Sequence, residues 1–502
     1  MSIRTHLLKL ALGAVPALVG GGALAQESPA PGAAAAAGMA AAAVDRPLRA
    51  ATPRRAIRPS LRAASGNENA AEASADLGQT AAPATLPPGT LDLGNGLAFI
   101  ANYTGQSAFN PVGGIRQGSA YAGQIYFGID GDLQRLAGID GGSFHVAVTQ
   151  RHGRSLSNDY IGNNTSVQEI YGGGQTARLT LLSYQQKLFD NRLDIEFGRL
   201  STNPNFLSSP IYCNFQNNST CGGPTSAFKI TNLGFWPIST WGAHAKAWVT
   251  DKVFIHGGIY EVNPNTQRLT DNGIDWSTRG ATGFTLPYEI GYTTTFANDI
   301  LPRNYGIGGV VDRSDYSDPF LDAQNRPAVL SGFDRRVQFG RSLVYARFDQ
   351  MVWRPDPTAP QGLTLFGVAI KGTEGRQIND YYLEGGAVLL GTFPGRPYDT
   401  VGFVVSNQKF SSLGLAGVRT ARASLGLNPR DIATQQLMLE LNYGVQITPA
   451  IRLTPNLQYI VNPDNTRFPF RAKPTPNAFV FGTKLSIDLF TLAGMAKGIG
   501  SN

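Results

Sequence analysis

The sequence predicts an all-β protein, a transmembrane antiparallel β-barrel of about sixteen strands with short turns on one rim and long loops on the other. Three observations carry this. The first is composition: of 502 residues only 15% are charged while 59 are Gly, against roughly 25% charged and ~7% Gly in soluble domains. Mean hydropathy is -0.13, and beyond the N-terminus no run approaches the ~18 apolar residues a membrane helix needs. The second is a hydropathy period of two from about residue 93. The third is an alternation of short and long connections, the mark of an outer-membrane barrel.

The N-terminus sets the address. Residues 1–25 read as a signal peptide: Arg4 and Lys9 give a positive start, residues 10–24 are apolar and small, and Ala23-Leu24-Ala25 offers a cleavage site before Gln26. Removing Arg4 and Lys9 takes the formal charge from +7 to +5. No Lys/Arg block is dense enough for a nucleic-acid footprint. Residues 26–92 are Ala- and Pro-rich, with six Arg balanced by six acids, and lack the aromatic and β-branched residues that offset ordering entropy. We read them as a low-complexity periplasmic tether.

The barrel occupies residues 93–490, with 491–502 a short C-terminal extension. Its pattern is plainest in residues 435–447. Leu437, Leu439, Leu441, Tyr443, Val445 and Ile447 fall on one face, and Gln436, Met438, Glu440, Asn442 and Gln446 on the other. Residues 451–462 repeat it after Thr448-Pro449-Ala450, which makes a hairpin. The same test places the strands at 97–104, 119–130, 143–151, 176–188, 193–200, 240–250, 253–262 and 283–297, then 305–312, 340–352, 363–372, 380–391, 398–407 and 433–447, and the last at 477–490.

Between these strands, 189–192, 251–252 and 448–450 are short, whereas 152–175, 201–239, 263–282, 408–432 and 463–476 are long. A closed sheet is the one way strands satisfy their backbone groups in lipid, and an even strand number brings both termini to the periplasmic rim. Barrels of this size hold an aqueous channel. Aromatics near strand ends, Phe189, Trp241, Tyr292, Tyr305, Trp353 and Phe490, are candidates for the interfacial girdles.

Cys213 and Cys221 are the only cysteines, eight residues apart in an exported chain, so a disulfide is the first reading. Two thiols without a neighbouring His leave zinc short of ligands, and no metal is expected. Inward-facing polar and aromatic candidates for lining the pore or gripping a solute are Asp194, Glu196, His244, Lys246, Trp248, Phe254, His256, Tyr260, Glu440, Arg452 and Lys484. Catalytic motifs are missing: there is no H-E-x-x-H, G-x-S-x-G or G-x-x-x-x-G-K. Neither an enzyme nor a cofactor is implied.

The stretch Phe197-Gly198-Arg199-Leu200-Ser201, followed by Ser209-Pro210-Ile211-Tyr212-Cys213-Asn214-Phe215 and Cys221-Gly222-Gly223-Pro224, closely resembles the carbohydrate-selective porins of the OprB family. Residues 110–114 (NPVGG), 241–243 leading to 260–264, and 283–284 leading to 289–292 resemble the same family in the same order. The chain departs from it in the Ala-rich segment and in running past Phe490. The resemblance implies that loop 201–239, third on its rim, folds inward and narrows the channel, and it singles out Arg199 where that loop begins. It further implies passive diffusion of mono- and small oligosaccharides across a Gram-negative outer membrane. Carbohydrates and outer-membrane lipids are then the partners, with a monomer or a homotrimer both open. A general or anion-leaning diffusion porin, and a plugged surface barrel that binds carbohydrate or adheres, are the alternative readings.

Overall fold

A computed structural model describes residues 88–499. The segments read as signal peptide and, up to residue 87, as tether lie outside the described residues. Sixteen antiparallel strands close on themselves: β1 Leu97–Val112, β2 Gly118–Asp132, β3 Gly142–Gly153, β4 Ala177–Leu188, β5 Leu193–Leu200, β6 Thr240–Trp248, β7 Val253–Val262 and β8 Gly283–Thr293 form the first half. The second half is β9 Arg303–Asp322, β10 Arg335–Trp353, β11 Gly362–Glu374, β12 Asn379–Leu390, β13 Thr400–Phe410, β14 Gln435–Thr448, β15 Ile451–Val461 and β16 Ala478–Asp488. Each strand pairs with its sequence neighbours, and β16 closes the ring on β1 through pairs from Phe481–Phe109 to Asp488–Asn102. A two-residue strand, Leu91–Asp92, adds to the lower edge of β1. Among the described residues no helix is long and apolar enough to cross a membrane.

One rim carries the connections 133–141, 189–192, 249–252, 294–302, 354–361, 391–399 and 449–450, and both ends of the described chain. The opposite rim carries 154–176, 201–239, 263–282, 323–334, 411–434 and 462–477, plus two short turns, 113–117 and 375–378. Gly89 N–H donates to the Lys497 carbonyl at 2.8 Å, which joins the two ends on the short-turn rim.

Most strands differ from their sequence-based bounds by a few residues, β8 ending at Thr293 rather than 297, and four differ for an evident physical reason. β1 reaches Val112 because Gly105 and Ser107 interrupt the apolar stripe on its outer face without breaking the ladder. β9 and β10 run to Asp322 and from Arg335, well beyond 305–312 and 340–352. There Arg313, Asp315 and Ser317 on one face oppose Ser314, Tyr316 and Asp318 on the other. The strands have risen out of hydrocarbon, so hydropathy no longer alternates while burial still does. At the C-terminus β16 ends at Asp488, whose carboxylate accepts the Thr491 N–H at 3.0 Å and caps a short helix, Leu489–Leu492. Phe490 has the wrong parity for the strand because it belongs to that helix.

The two faces of the wall differ as the period demands. Ile255, Ile290 and Ile307 are direct neighbours on β7, β8 and β9 and are 51%, 59% and 72% exposed. Such a contiguous apolar row would be a liability in water and is suited to lipid. Tyr292 and Tyr305 stack with ring centres 6.2 Å apart near the short-turn rim, and Phe189 and Trp353 are exposed at the same rim. Trp241 lies at the other rim, its indole N–H donating to the Trp276 carbonyl at 2.8 Å.

The apolar core lies inside the ring. Leu207, Tyr212, Phe215, Ala227, Ile230 and Leu233 of loop 201–239 pack on inward side chains of β9–β13, among them Val310, Leu343, Phe366, Val368 and Val404. Leu156, Ile161 and Val167 of loop 154–176 pack on Ala108, Met438, Ile460, Ala478 and Val480 across β14–β16 and β1. If the Ile255–Ile290–Ile307 row faces hydrocarbon, Ile290→Lys will lower unfolding stability in a bilayer by about 2–4 kcal/mol if the row lies near the midplane, and by less toward an interface. Urea titration of protein folded in vesicles measures it.

Candidate functional site

Loop 201–239 is the central feature of the lumen. Cys213 and Cys221 are joined by a disulfide, with Cα atoms 4.5 Å apart, so the loop's tip is a closed ring. Its backbone pairs with no strand, and its polar groups find side-chain partners on the inner wall. Glu440 on β14 accepts the N–H groups of Gln216 and Asn217, each at 2.8 Å, and the Asn217 side chain at 2.7 Å. Lys484 on β16 donates to the Cys213 carbonyl at 2.5 Å. Glu384 on β12 accepts from Thr220 at 2.8 Å and from Tyr382 at 2.6 Å, while the Tyr382 hydroxyl lies 2.7 Å from the Ser219 carbonyl. On β10 and β9, Asp349 accepts from Ser209 at 3.0 Å and Asp312 from the Asn232 N–H at 2.8 Å. A loop tied to the far wall at so many points is a fixed partition of the lumen.

Loop 154–176 is a second inward loop, and it joins the first. Glu169 N–H donates to the Gln216 carbonyl at 2.9 Å, and Asn218 N–H to the Ser166 carbonyl at 2.8 Å. Lys229, in the short helix Thr225–Ile230, reaches Thr165 at 2.9 Å, and burial pushes its ammonium down to about 8. Nothing in the hydropathy of 152–175 marked it as an inward loop. Its aliphatic residues are four among many polar ones, and their docking surface comes from strands remote in the chain.

The candidate side chains separate into two groups. Register puts Asp194, Glu196, His244, Lys246, Trp248, Phe254, His256 and Tyr260 on one inward face: Asp194 pairs with Lys246, Glu196 with His244, Lys246 with His256 and Trp248 with Phe254. Yet Glu196, His244, Phe254, His256 and Tyr260 are buried. Glu196 accepts from Ser183 at 2.5 Å and lies 2.9 Å from His244 Nε2, and His244 Nδ1 is 3.1 Å from His256 Nε2. Phe206 of loop 201–239 stacks on His256, ring centres 4.0 Å apart, and meets Tyr260 edge-on at 6.3 Å. This chain of contacts seats the loop's first segment. Glu440 and Lys484, also buried, seat its tip. These residues were expected to line the pore; the loop covers them, and their work is to hold it.

Arg199 departs furthest from expectation. Its register partner is Trp241, one step out of phase with the Glu196–His244 pair. The buried guanidinium lies 5.7 Å from the Trp241 ring and donates to the Ser239 carbonyl at 2.7 Å, tying the end of the loop to its beginning at the rim.

The inward side chains that stay partly exposed include Asp130, Lys187, Asp194, Lys246, Trp248, Arg347, Asp349, Arg452, Ser486 and Asp488. All lie within the last turns of their strands before the short-turn rim, below the loops. The Lys246 ammonium sits over two rings, 4.9 Å from Trp248 and 4.1 Å from Phe254. Arg347 forms a two-point ion pair with Glu289, 2.6 and 2.9 Å, and Asp194 accepts from Gln185 at 2.8 Å. Arg452 donates to the Tyr398 carbonyl at 3.0 Å. Asp130, Arg347 and Asp349 were not among the sequence candidates. The period-two rule within 119–130 and 340–352 would have found them, since Tyr345, Arg347 and Asp349 share one face. Lys187, Lys246, Arg347 and Arg452 oppose Asp130, Asp194, Asp349 and Asp488, so neither sign dominates this girdle. Among the described residues no cluster of His, Cys, Asp or Glu is arranged to hold a metal ion.

Two outcomes are expected from the loop's anchors. Glu440→Leu leaves two buried N–H groups without an acceptor, at roughly 1–3 kcal/mol each, so single-channel conductance should rise and become noisy, while Glu440→Gln should be milder. Cys213→Ser with Cys221→Ser removes a constraint contributing about 2.5 kcal/mol to loop order. That double variant should fold and insert, yet show more frequent current fluctuations in planar bilayers.

Comparison with known proteins agrees with this architecture. Residues 116–489 match the family described as carbohydrate-selective porin, OprB family. Porin B of Pseudomonas aeruginosa is 30% identical over 406 residues, 78% of this chain and 87% of that protein. The putative porin QuiX of Acinetobacter baylyi is 26% identical over 412 residues, 78% and 89% of the two chains. The high-pH structure of Pseudomonas putida OprB superposes with a TM-score of 0.70 at 30% identity, covering 79% of this chain and 94% of that one. With its closed sixteen-strand ring and inward third loop, the chain belongs to the OprB family of carbohydrate-selective porins, barrels of the Gram-negative outer membrane.

Proposed function

We propose that the protein is a passive channel through which mono- and small oligosaccharides diffuse down their gradient, selected at the girdle below loop 201–239. The observation that carries this reading is the make-up of that girdle. Cations and carboxylates share it with no excess of either sign, and the partly exposed Trp248 ring stands beside the Lys246 ammonium. A neutral, hydroxyl-rich solute needs such a surface: donors and acceptors for hydroxyl pairs, a ring for the C–H face of a pyranose, and no single sign of charge to trap an ion. An anion-selective pore would need an excess of cations, which this ring lacks. The reading involves no covalent step and no energy source.

Single-channel recording in planar bilayers with glucose and disaccharides tests it. Saturable, concentration-dependent block of the current is expected. Openings indifferent to sugar would reduce the protein to a general diffusion porin, and an inserted but silent barrel would favour a binding or adhesive role. Trp248→Ala should weaken the block roughly two- to tenfold, the equivalent of about 0.5–1.5 kcal/mol of ring contact. Lys246→Ala should shift ion selectivity toward cations.

A further inference from the structure

Where the ring closes, the outer face of the barrel carries a recess. Register aligns Phe481, Phe109 and Ser119 in one row and Thr483, Ser107 and Tyr121 in the next, across β16, β1 and β2. Phe109, Tyr121 and Phe481 are exposed, so both rows face away from the lumen. Between them is a recess of about 620 Å³ whose lining includes these six side chains and Arg154. Beside it, the Tyr103 hydroxyl contacts the Tyr121 hydroxyl, and the His152 ring is stacked 6.2 Å from the Tyr103 ring. Hydroxyls and an imidazole on an outer wall are out of place against plain hydrocarbon, which offers them no partner.

The recess opens toward the extracellular rim, and that rim is cationic. Arg154 Nε is 2.9 Å from a carboxylate oxygen of Asp159, its side chain 68% exposed. Arg116 Nε donates to the Asp159 carbonyl at 2.7 Å, and Arg467 contacts Asn158 in the same segment. Three guanidinium groups from three loops therefore converge on the Asn158–Asp159 segment, where the Asp159 carboxylate is paired, among the described residues, with Arg154 alone.

We infer that this recess and its arginine rim bind a phosphorylated glycolipid of the outer leaflet, acyl chain in the recess and phosphate on Arg116 and Arg154. Phe109 and Phe481 offer the apolar wall a chain needs. Ser107, Ser119 and Thr483 offer hydroxyls at the depth of a lipid's amide and ester groups. Guanidinium groups pair with phosphate in two-point geometry. A second copy of this chain is the less suitable occupant, because two copies meeting here would bring their arginine rims together without a neutralising charge. Since Arg116 and Arg154 lie outside the lumen, this inference is independent of the sugar reading.

Native mass spectrometry of the refolded barrel in detergent, titrated with bis-phosphorylated lipid A, tests it. Saturable binding is expected, at least tenfold weaker for the dephosphorylated lipid and for Arg116→Ala with Arg154→Ala. Arg192→Ala, which removes an exposed guanidinium at the opposite rim, should bind as the parent does. Ser119→Trp, filling the recess while leaving the arginines, should also weaken binding. Conductance of all variants should be unchanged, which shows that they fold. Equal affinity for both lipids, or for the parent and the double arginine variant, would overturn the proposal. So would lipid-free oligomers that Ser119→Trp disrupts, since the occupant would then be a second copy.

Discussion

Hydrocarbon contains no hydrogen-bond donor or acceptor, so a backbone that enters it must pair every N–H and C=O within itself. Each strand here is paired on both sides, including across the β16–β1 seam, and the remaining features are consequences of that closure. A closed ring has an inside, so the period of two sorts side chains into those that meet lipid and those that meet water or loops. The exposed isoleucine row on β7–β9 is the outward half of that sorting, and Glu440, Glu384 and Asp349 are part of the inward half.

The same requirement follows the chain into the lumen. Loop 201–239 leaves the sheet for the interior of the barrel, where its peptide groups have no neighbouring strand. Carboxylates and amides from the opposite wall substitute for one, with Glu440 taking two consecutive N–H groups as a strand edge would. The apolar side chains of the loop then cover the inward surface of β9–β13, which is why those strands carry Val, Leu and Phe where a water-filled channel would call for polar residues. Loop 154–176 does the same on β14–β16 and β1. What stays open is the space the two loops leave, bordered by β2, β5, β6, β10 and the lower ends of β15 and β16.

This division explains the electrostatics. Charges beneath the loops are held in pairs or by several hydrogen bonds, as burial requires. Arg341 with Asp312 and Arg151 with Glu169 are examples. Charges at the girdle remain partly wet and include both signs, which suits a neutral solute. The stacked Phe206–His256 contact connects the two zones, because the segment that seats the loop lies on the same strands, β6 and β7, that supply Lys246, Trp248 and Phe254.

Period-two patterning, alternating connection lengths and two cysteines in an exported chain were legible in the primary structure, and with them the barrel, its rims, the disulfide and the inward parity of eleven candidate residues. These are local properties: whether a side chain faces in or out depends on its position along one strand. Which inward side chains stay open was not legible, because Glu440 and Arg452 read alike on adjacent strands and differ only in whether a loop from the other side of the barrel covers them. Nor were the true ends of β9 and β10, where hydropathy stops alternating above the lipid, or the role of Arg199, turned out of phase beside Trp241. Sequence by itself determined the wall, since lipid and water impose their pattern on each strand separately. Only the tertiary structure decided the passage, since it is the remainder after packing of two loops against strands remote from them in the chain.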